Sequence, residues 1–172
     1  CYDQLTTYHF QRIFPDCRLI DIHEYLLEKN FCLPEHASKE QYIYHDPCHS
    51  PIKSSPPIKV ASKLLGQPVV LSDRCCGESG LFAMNRPDIA SQVKFRKQEE
   101  LNKNTANIPA DKKGKLLNTC PACLQGLNRY RDDNNLKVDY IVIELAKYFW
   151  GDNWQEQYIK QVQNGGIEQI LL

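Results

Sequence analysis

The chain has 172 residues, 42% of them hydrophobic and 24% charged, with 21 basic side chains balancing 21 acidic ones. Such a length supports one ordinary domain without disulfide staples, and a balanced charge disfavours nucleic acid, whose binding rests on neutralising phosphates. The longest apolar runs, such as "YIVIELA" at 140–146, are far too short for a transmembrane segment.

At the amino end "CYDQLTTYHF" has neither an initiating Met nor the zones of a secretory signal, so the chain reads as a fragment of something longer. Eight cysteines suit a disulfide framework only in short secreted scaffolds. A reducing cytoplasm is the expected location, with a peripheral seat on the inner face of a membrane as the variant. "CYDQLTTY" (1–8) leads to "CRLIDIHEYLLEK" (17–29), and "CLQGLNRY" (123–130) leads to "VDYIVIELAKYFW" (138–150). Both run Cys, three residues, Leu, two residues, Tyr, then a strand-like run and a helix start containing Glu. This weak repeat predicts that residues 1–35 are the tail of a preceding module and 36–172 a complete one, with Cys1 the last ligand of the absent part.

Three runs rich in β-branched and aromatic residues each lead into a cysteine: "QYIYHDPC" (41–48), "PVVLSDRCC" (68–76) and "KLLNTC" (115–120). Between the first two lie a proline-rich loop (50–59) and the helical pattern "IKVASKLLG" (58–66), with Val60, Leu64 and Leu65 on one side and Gly66 as a stop. After the second comes "RPDIASQVKFRKQEEL" (86–101), a helix opened by Pro87, whose apolar stripe of Ile89, Ala90, Val93 and Leu101 is broken. A polar loop at 104–115 precedes the third run. Strands alternating with helices predict an α/β fold with a mainly parallel sheet flanked by helices. Ligands of such sheets bind at the carboxyl ends of the strands, where all three cysteine groups would meet.

In "NTCPACLQG" Cys120 closes a strand, Pro121 takes the first helical position, and Cys123 faces the same way one turn later. This C-x2-C spacing grips a metal, and serves a redox dithiol equally well. Adjacent Cys75 and Cys76 are cramped around one ion but can serve two metal atoms lying close together, which points to a cluster. Gly77 lets the backbone approach inorganic sulfide and aim N–H groups at it, and Gly80 allows the same again. The competing reading is a pair of buried small hydrophobes or a vicinal disulfide. Cys17 and Cys32 lack such partners and are expected in the core.

"DPCH", "CCG" and "CPAC", in that order, resemble the cysteine-rich CCG domain of heterodisulfide reductases and of the iron-sulfur subunits of anaerobic glycerol-3-phosphate, glycolate and lactate dehydrogenases. The resemblance runs from about Gln41 to the end of the chain. It implies an iron-sulfur electron-transfer domain whose 4Fe-4S cluster, of the non-cubane type, is held by Cys48, Cys75, Cys76, Cys120 and Cys123, with zinc as the alternative occupant. "YDQLTTYHFQRIFPDCRLIDIHEYL" and "GGIEQILL" further resemble the carboxyl end of large FAD-linked 2-hydroxy acid dehydrogenases. That similarity implies FAD elsewhere in the parent protein, a flavin domain or flavoprotein subunit as electron donor, and a quinone-linked or soluble acceptor. On this reading no side chain of the domain is catalytic. A third reading makes Cys120 and Cys123 a thiol pair that reduces disulfides.

His45 and His49 flank Cys48, and either could donate to a cluster sulfur or supply a metal ligand, against the plainer reading of a loop-capping histidine. Arg74 could offset the negative charge of thiolates, or be solvated. Tyr42, Tyr44, Tyr130, Tyr140, Trp150 and Trp154 are expected as core or rim aromatics.

Overall fold

In the computed structural model, which describes residues 3–35, 38–78 and 80–165, four short strands form one parallel sheet. They are β1 (Gln41–His45), β2 (Val70–Ser72), β3 (Gly114–Asn118) and β4 (Lys137–Tyr140), in the spatial order β2-β1-β3-β4. Ile43 lies opposite Val70 on one side and Leu116 on the other, and Leu116 lies opposite Val138. The helices are α1 (Asp3–Ile13), α2 (Ile22–Glu28), α3 (Pro57–Leu64), α4 (Phe82–Asn85), α5 (Pro87–Ala106), α6 (Pro121–Leu127), α7 (Arg131–Asn134), α8 (Ile141–Trp150) and α9 (Trp154–Gly165). The expected α/β class with a parallel sheet is therefore the observed one. No helix among the described residues is long and apolar enough to cross a membrane.

Side chains alternate across a strand, and here each parity has its own core. Tyr42, Tyr44 and Leu117 pack with Val60, Ala61, Leu64 and Leu65 around α3 and with Ile141 and Leu145 of α8. On the other face Ile43 and Leu116 pack with Leu101 of α5, Leu127 of α6, Tyr130 and Leu136. Each fully buried Leu or Ile contributes about 1.5–3 kcal/mol relative to exposure. Because both faces are covered, β1 and β3 are almost continuously buried.

The connection through α3 joins β1 to β2 on one side, and the connection through α5 returns over the opposite face to β3. The winding therefore reverses between β1 and β3. At such a reversal the departing loops separate and leave a crevice at the carboxyl ends of the strands.

Gly66 stops α3 as expected, with φ +63, and a Cβ there would come within 2.3 Å of the Pro34 carbonyl oxygen. Two expectations fail. The strand-like run that opens "CRLIDIHEYLLEK" pairs with no strand among the described residues: Leu19 is exposed and Ile20 only half-buried, so the segment buries little apolar surface. Asp21 instead caps α2, its Oδ1 accepting from the His23 backbone N–H at 2.9 Å and lying 2.8 Å from His23 Nδ1. Cys17 is exposed in the same segment and is not a core residue, while Cys32 is half-buried against the α3 core. Cys1 and the terminal stretch after Gly165 lie outside the described residues.

Candidate metal centre

The strand ends build the site. β1 ends at His45 and runs through Asp46 and Pro47 to Cys48; β2 ends at Ser72 and leads through Asp73 and Arg74 to Cys75 and Cys76. β3 ends at Asn118, whose buried amide Nδ2 donates to the Asp139 carbonyl at 3.1 Å while its Oδ1 accepts from the Cys120 N–H at 3.0 Å. Cys120 is thereby fixed as the extended residue before α6, Pro121 opens the helix, and Cys123 turns inward one turn on. This is the arrangement the spacing predicts.

Cys76 Sγ donates to Cys123 Sγ at 3.3 Å, and both residues are buried. Cys75 interacts electrostatically with its neighbours Cys76 and Cys48, so Cys48, Cys75, Cys76 and Cys123 lie near one another from solvent to core. Cys120 is buried in the same cluster of side chains as Cys76 and Cys123. A ring nitrogen of His45 and the sulfurs of Cys76 and Cys123 all lie within 4.8 Å of one another. The set joins the first, second and third strand ends across the β1/β3 reversal.

Crowding keeps Cys48, Cys75 and Cys76 protonated. The hydrogen bond to Cys123, with burial adding to it, pushes the Cys76 thiol up to about 12. Its own bond to Cys76, and then burial, drives Cys75 well above the ordinary thiol range; burial and Cys75 raise Cys48. Gathering several thiolates here therefore requires a cation. His45 is pushed down to about 3 by burial and then by the Lys97 charge, so its imidazole is neutral, the form that ligates metals.

Lys97 is the residue that sequence reading passed over. It occupies the gap in the apolar stripe of α5 and is 0% exposed. Its Nζ donates to Ser72 Oγ at 2.5 Å and to Glu100 Oε2 at 2.8 Å, and stands 3.1 Å from His45 Nδ1. Burial lowers its pKa, while Glu100 and the nearby Cys76 act to raise it. The buried cation beside the thiols is thus Lys97, whereas Arg74, the sequence candidate for that role, is exposed, as is His49.

Two glycines shape the loop in different ways. Gly77 has φ +77 and its N–H donates to Cys75 Sγ at 3.3 Å, while a Cβ there would make only ordinary contacts with Val93 and Lys94. Its backbone angle, not lack of room, asks for glycine. Gly80 has φ +52 and open space around it. Close approach belongs to Gly126 of α6, where a Cβ would lie 2.3 Å from Glu78 Cγ and 3.4 Å from the Cys76 carbonyl oxygen. Glu78 also forms an ion pair with Arg129, which fastens the Cys75–Cys76 loop to the turn after α6. A glycine three residues beyond Cys123, inside a helix, was the available sign.

The donor set suits a thiophilic metal. Two thiolates on one tetrahedral ion with bonds of about 2.3 Å stand about 3.8 Å apart, close to the spacing of Cys76 and Cys123. Thiolate with imidazole selects zinc or iron over hard cations such as magnesium and calcium. A polar cavity of about 560 Å³ lies at the opposite end of the sheet, around Lys115, Lys137 and Glu144, and contains none of the five cysteines.

A family model described as a domain of unknown function (DUF3400) matches residues 128–172. That stretch begins after Cys123, so it includes none of these thiols. No curated protein and no solved structure matches the chain.

Proposed function

We propose that this chain is an electron-transfer domain whose redox centre is an iron-sulfur cluster held by Cys48, Cys75, Cys76, Cys120 and Cys123. The observation that carries the reading is the pairing of Cys76 and Cys123 at 3.3 Å at the β1/β3 reversal, with Cys75 and Cys48 near enough to shift one another's thiols. The resemblance of "DPCH", "CCG" and "CPAC" to CCG domains supports it and names the cluster as 4Fe-4S. When bound, such a cluster supplies one-electron redox chemistry at a potential set by its surroundings.

The chain's own residues divide that task. Cys76, Cys120 and Cys123 anchor the buried side, where Ile43, Leu116, Leu127 and Tyr130 exclude water. Cys48 and Cys75 are exposed and form the side nearest an incoming donor or acceptor. The Gly77 N–H directed at Cys75 and the buried Lys97 both favour added negative charge, which raises a potential. Electrons would come from a flavin domain of the parent protein or a flavoprotein subunit of the 2-hydroxy acid dehydrogenase type, and leave to a quinone-linked or soluble acceptor. Anaerobic reconstitution with iron and sulfide, followed by metal analysis and electron paramagnetic resonance, tests this. A protein that retains neither iron nor sulfide refutes it.

One observation favours a second reading, a structural zinc site: the tight grouping of His45, Cys76 and Cys123 is the spacing of a single ion. A colourless protein with stoichiometric zinc after anaerobic preparation would establish it. The disulfide-reductase reading gains no support, because exchange needs an accessible thiolate and Cys120 and Cys123 are both buried.

A further inference from the structure

We propose that Nε2 of His45 binds directly to the metal held by Cys76 and Cys123, and that Ser72 and Lys97 are the positioning residues that aim it. The inference rests on the reading that these thiols hold a metal, and adds a nitrogen to the ligands.

Strand parity puts His45 on the Ile43 face of the sheet, the face that carries the cysteines. Its side chain is buried, and its Nε2 has no hydrogen-bond partner among the described residues. A polar atom so placed is costly unless something satisfies it. Nδ1 is engaged on the other side, 3.2 Å from the Ser72 carbonyl oxygen. A carbonyl can only accept, so the tautomer in which that bond forms carries its proton on Nδ1 and its lone pair on Nε2. This is the outer-shell arrangement that orients ligating histidines.

Lys97 could oppose it, because an ammonium donating to Nδ1 would move the proton to Nε2 and block ligation. Two of its three N–H groups are taken by Ser72 Oγ and Glu100, at 2.5 and 2.8 Å; the third stands 3.1 Å from the ring and competes with the Ser72 carbonyl for Nδ1, so ligation through Nε2 requires it to turn away from the imidazole. Glu100 also accepts from Ser72 Oγ at 3.0 Å and from the Asp73 N–H at 2.9 Å, so Lys97 and Glu100 together fix the residue whose carbonyl holds the imidazole. His23 gives the contrast: its Nε2 is equally unpartnered, yet no ligating group of three or more forms around it among the described residues. A neutral imidazole in place of a thiolate lowers the negative charge of the ligand set and raises the potential, as histidine ligation does in Rieske centres.

The test uses the whole chain, labelled with 15N-histidine and loaded anaerobically with 113Cd as the probe. The expected result is one cadmium per chain with thiolate charge-transfer absorption, and a 113Cd–15N coupling to the Nε2 of a single histidine. That coupling disappears in His45→Gln and persists in His49→Gln. Lys97→Met retains the coupling but weakens cadmium binding about tenfold or more. The wild-type coupling needs no variant, so a His45→Gln protein that fails to fold leaves the test intact. Thiolate-bound cadmium without nitrogen coupling, or coupling lost only in His49→Gln, overturns the inference and leaves the thiol centre standing. A wild-type chain that takes up no cadmium refutes the metal centre itself, and the inference with it.

Discussion

Replacing Lys97 by Met removes an ammonium but keeps most of the stem, which isolates the charge from the packing. Lys97 is 0% exposed, and its partner Glu100 has a side chain only 14% exposed. Truncating one member of a buried ion pair costs about 3–5 kcal/mol, because the remaining charge stays desolvated. Glu100 keeps its bonds from Ser72 Oγ and the Asp73 N–H, which places this site at the lower end, about 3 kcal/mol. For a chain of this size that corresponds to a fall in Tm of about 6–12 °C. The double variant Lys97→Met/Glu100→Gln has no orphaned charge and recovers most of the loss. Urea unfolding followed by far-ultraviolet circular dichroism, under reducing conditions with chelator, measures both. A single variant within about 0.5 kcal/mol of wild type would refute the claim, since that is the range of ordinary surface changes. So would a double variant less stable than the single.

Cys75→Ser and Cys76→Ser should each abolish metal retention while leaving the sheet folded, whereas Cys17→Ser, on an exposed segment, should change neither metal content nor circular dichroism. Gly66→Ala should cost more than about 2 kcal/mol in urea unfolding, since it adds a left-handed penalty to an overlap with the Pro34 carbonyl. Gly80→Ala, left-handed but in open space, should cost only the first of these, about 1–2 kcal/mol. Asp21→Ala removes the α2 cap, about 1 kcal/mol, and leaves buried His23 Nδ1 unpaired, a further 1–3 or about 2–4 in all. Burial pushes the Asp21 carboxyl up, but the hydrogen bond and charge of His23 outweigh it and hold the group below its ordinary value. The Asp21 contribution is therefore full above the ordinary carboxylate range. In pH-dependent unfolding, the gap between wild type and variant should narrow as the pH falls through the lowered value.

The sheet was legible where chemistry and period agreed. β1 and β3 are apolar runs that end at a polar residue and a cysteine, and doubly covered strands look like that. The run at 68–76 contributed only Val70–Ser72 to the ladder, because an edge strand with exposed Val70 and Leu71 has little to bury. Cys120, Pro121 and Cys123 fell into place because a strand-end residue, a proline at the first helical position and a thiol one turn later each have a local reason. Lys97 was invisible for the opposite reason: a lysine in a helix is solvated unless distant residues supply partners, and Ser72 and His45 come from other strands. The choice between His45 and His49 was also tertiary in origin. Both flank Cys48, but only His45 is still within β1, where parity turns it inward. Arg74, read as the offsetting cation, is exposed, although the same loop turns Cys76 into the core.

Thiol footprinting bears most directly on the claim that these cysteines jointly hold a metal. Cys17, Cys48 and Cys75 are all exposed, so with labelling run to completion all three should be alkylated in metal-stripped protein, Cys48 and Cys75 more slowly than Cys17 because their raised thiols supply little thiolate. In protein reconstituted with iron and sulfide, peptide mapping should show Cys48 and Cys75 protected and Cys17 still modified. Equal modification of Cys48 and Cys75 in the stripped and reconstituted protein would contradict the account.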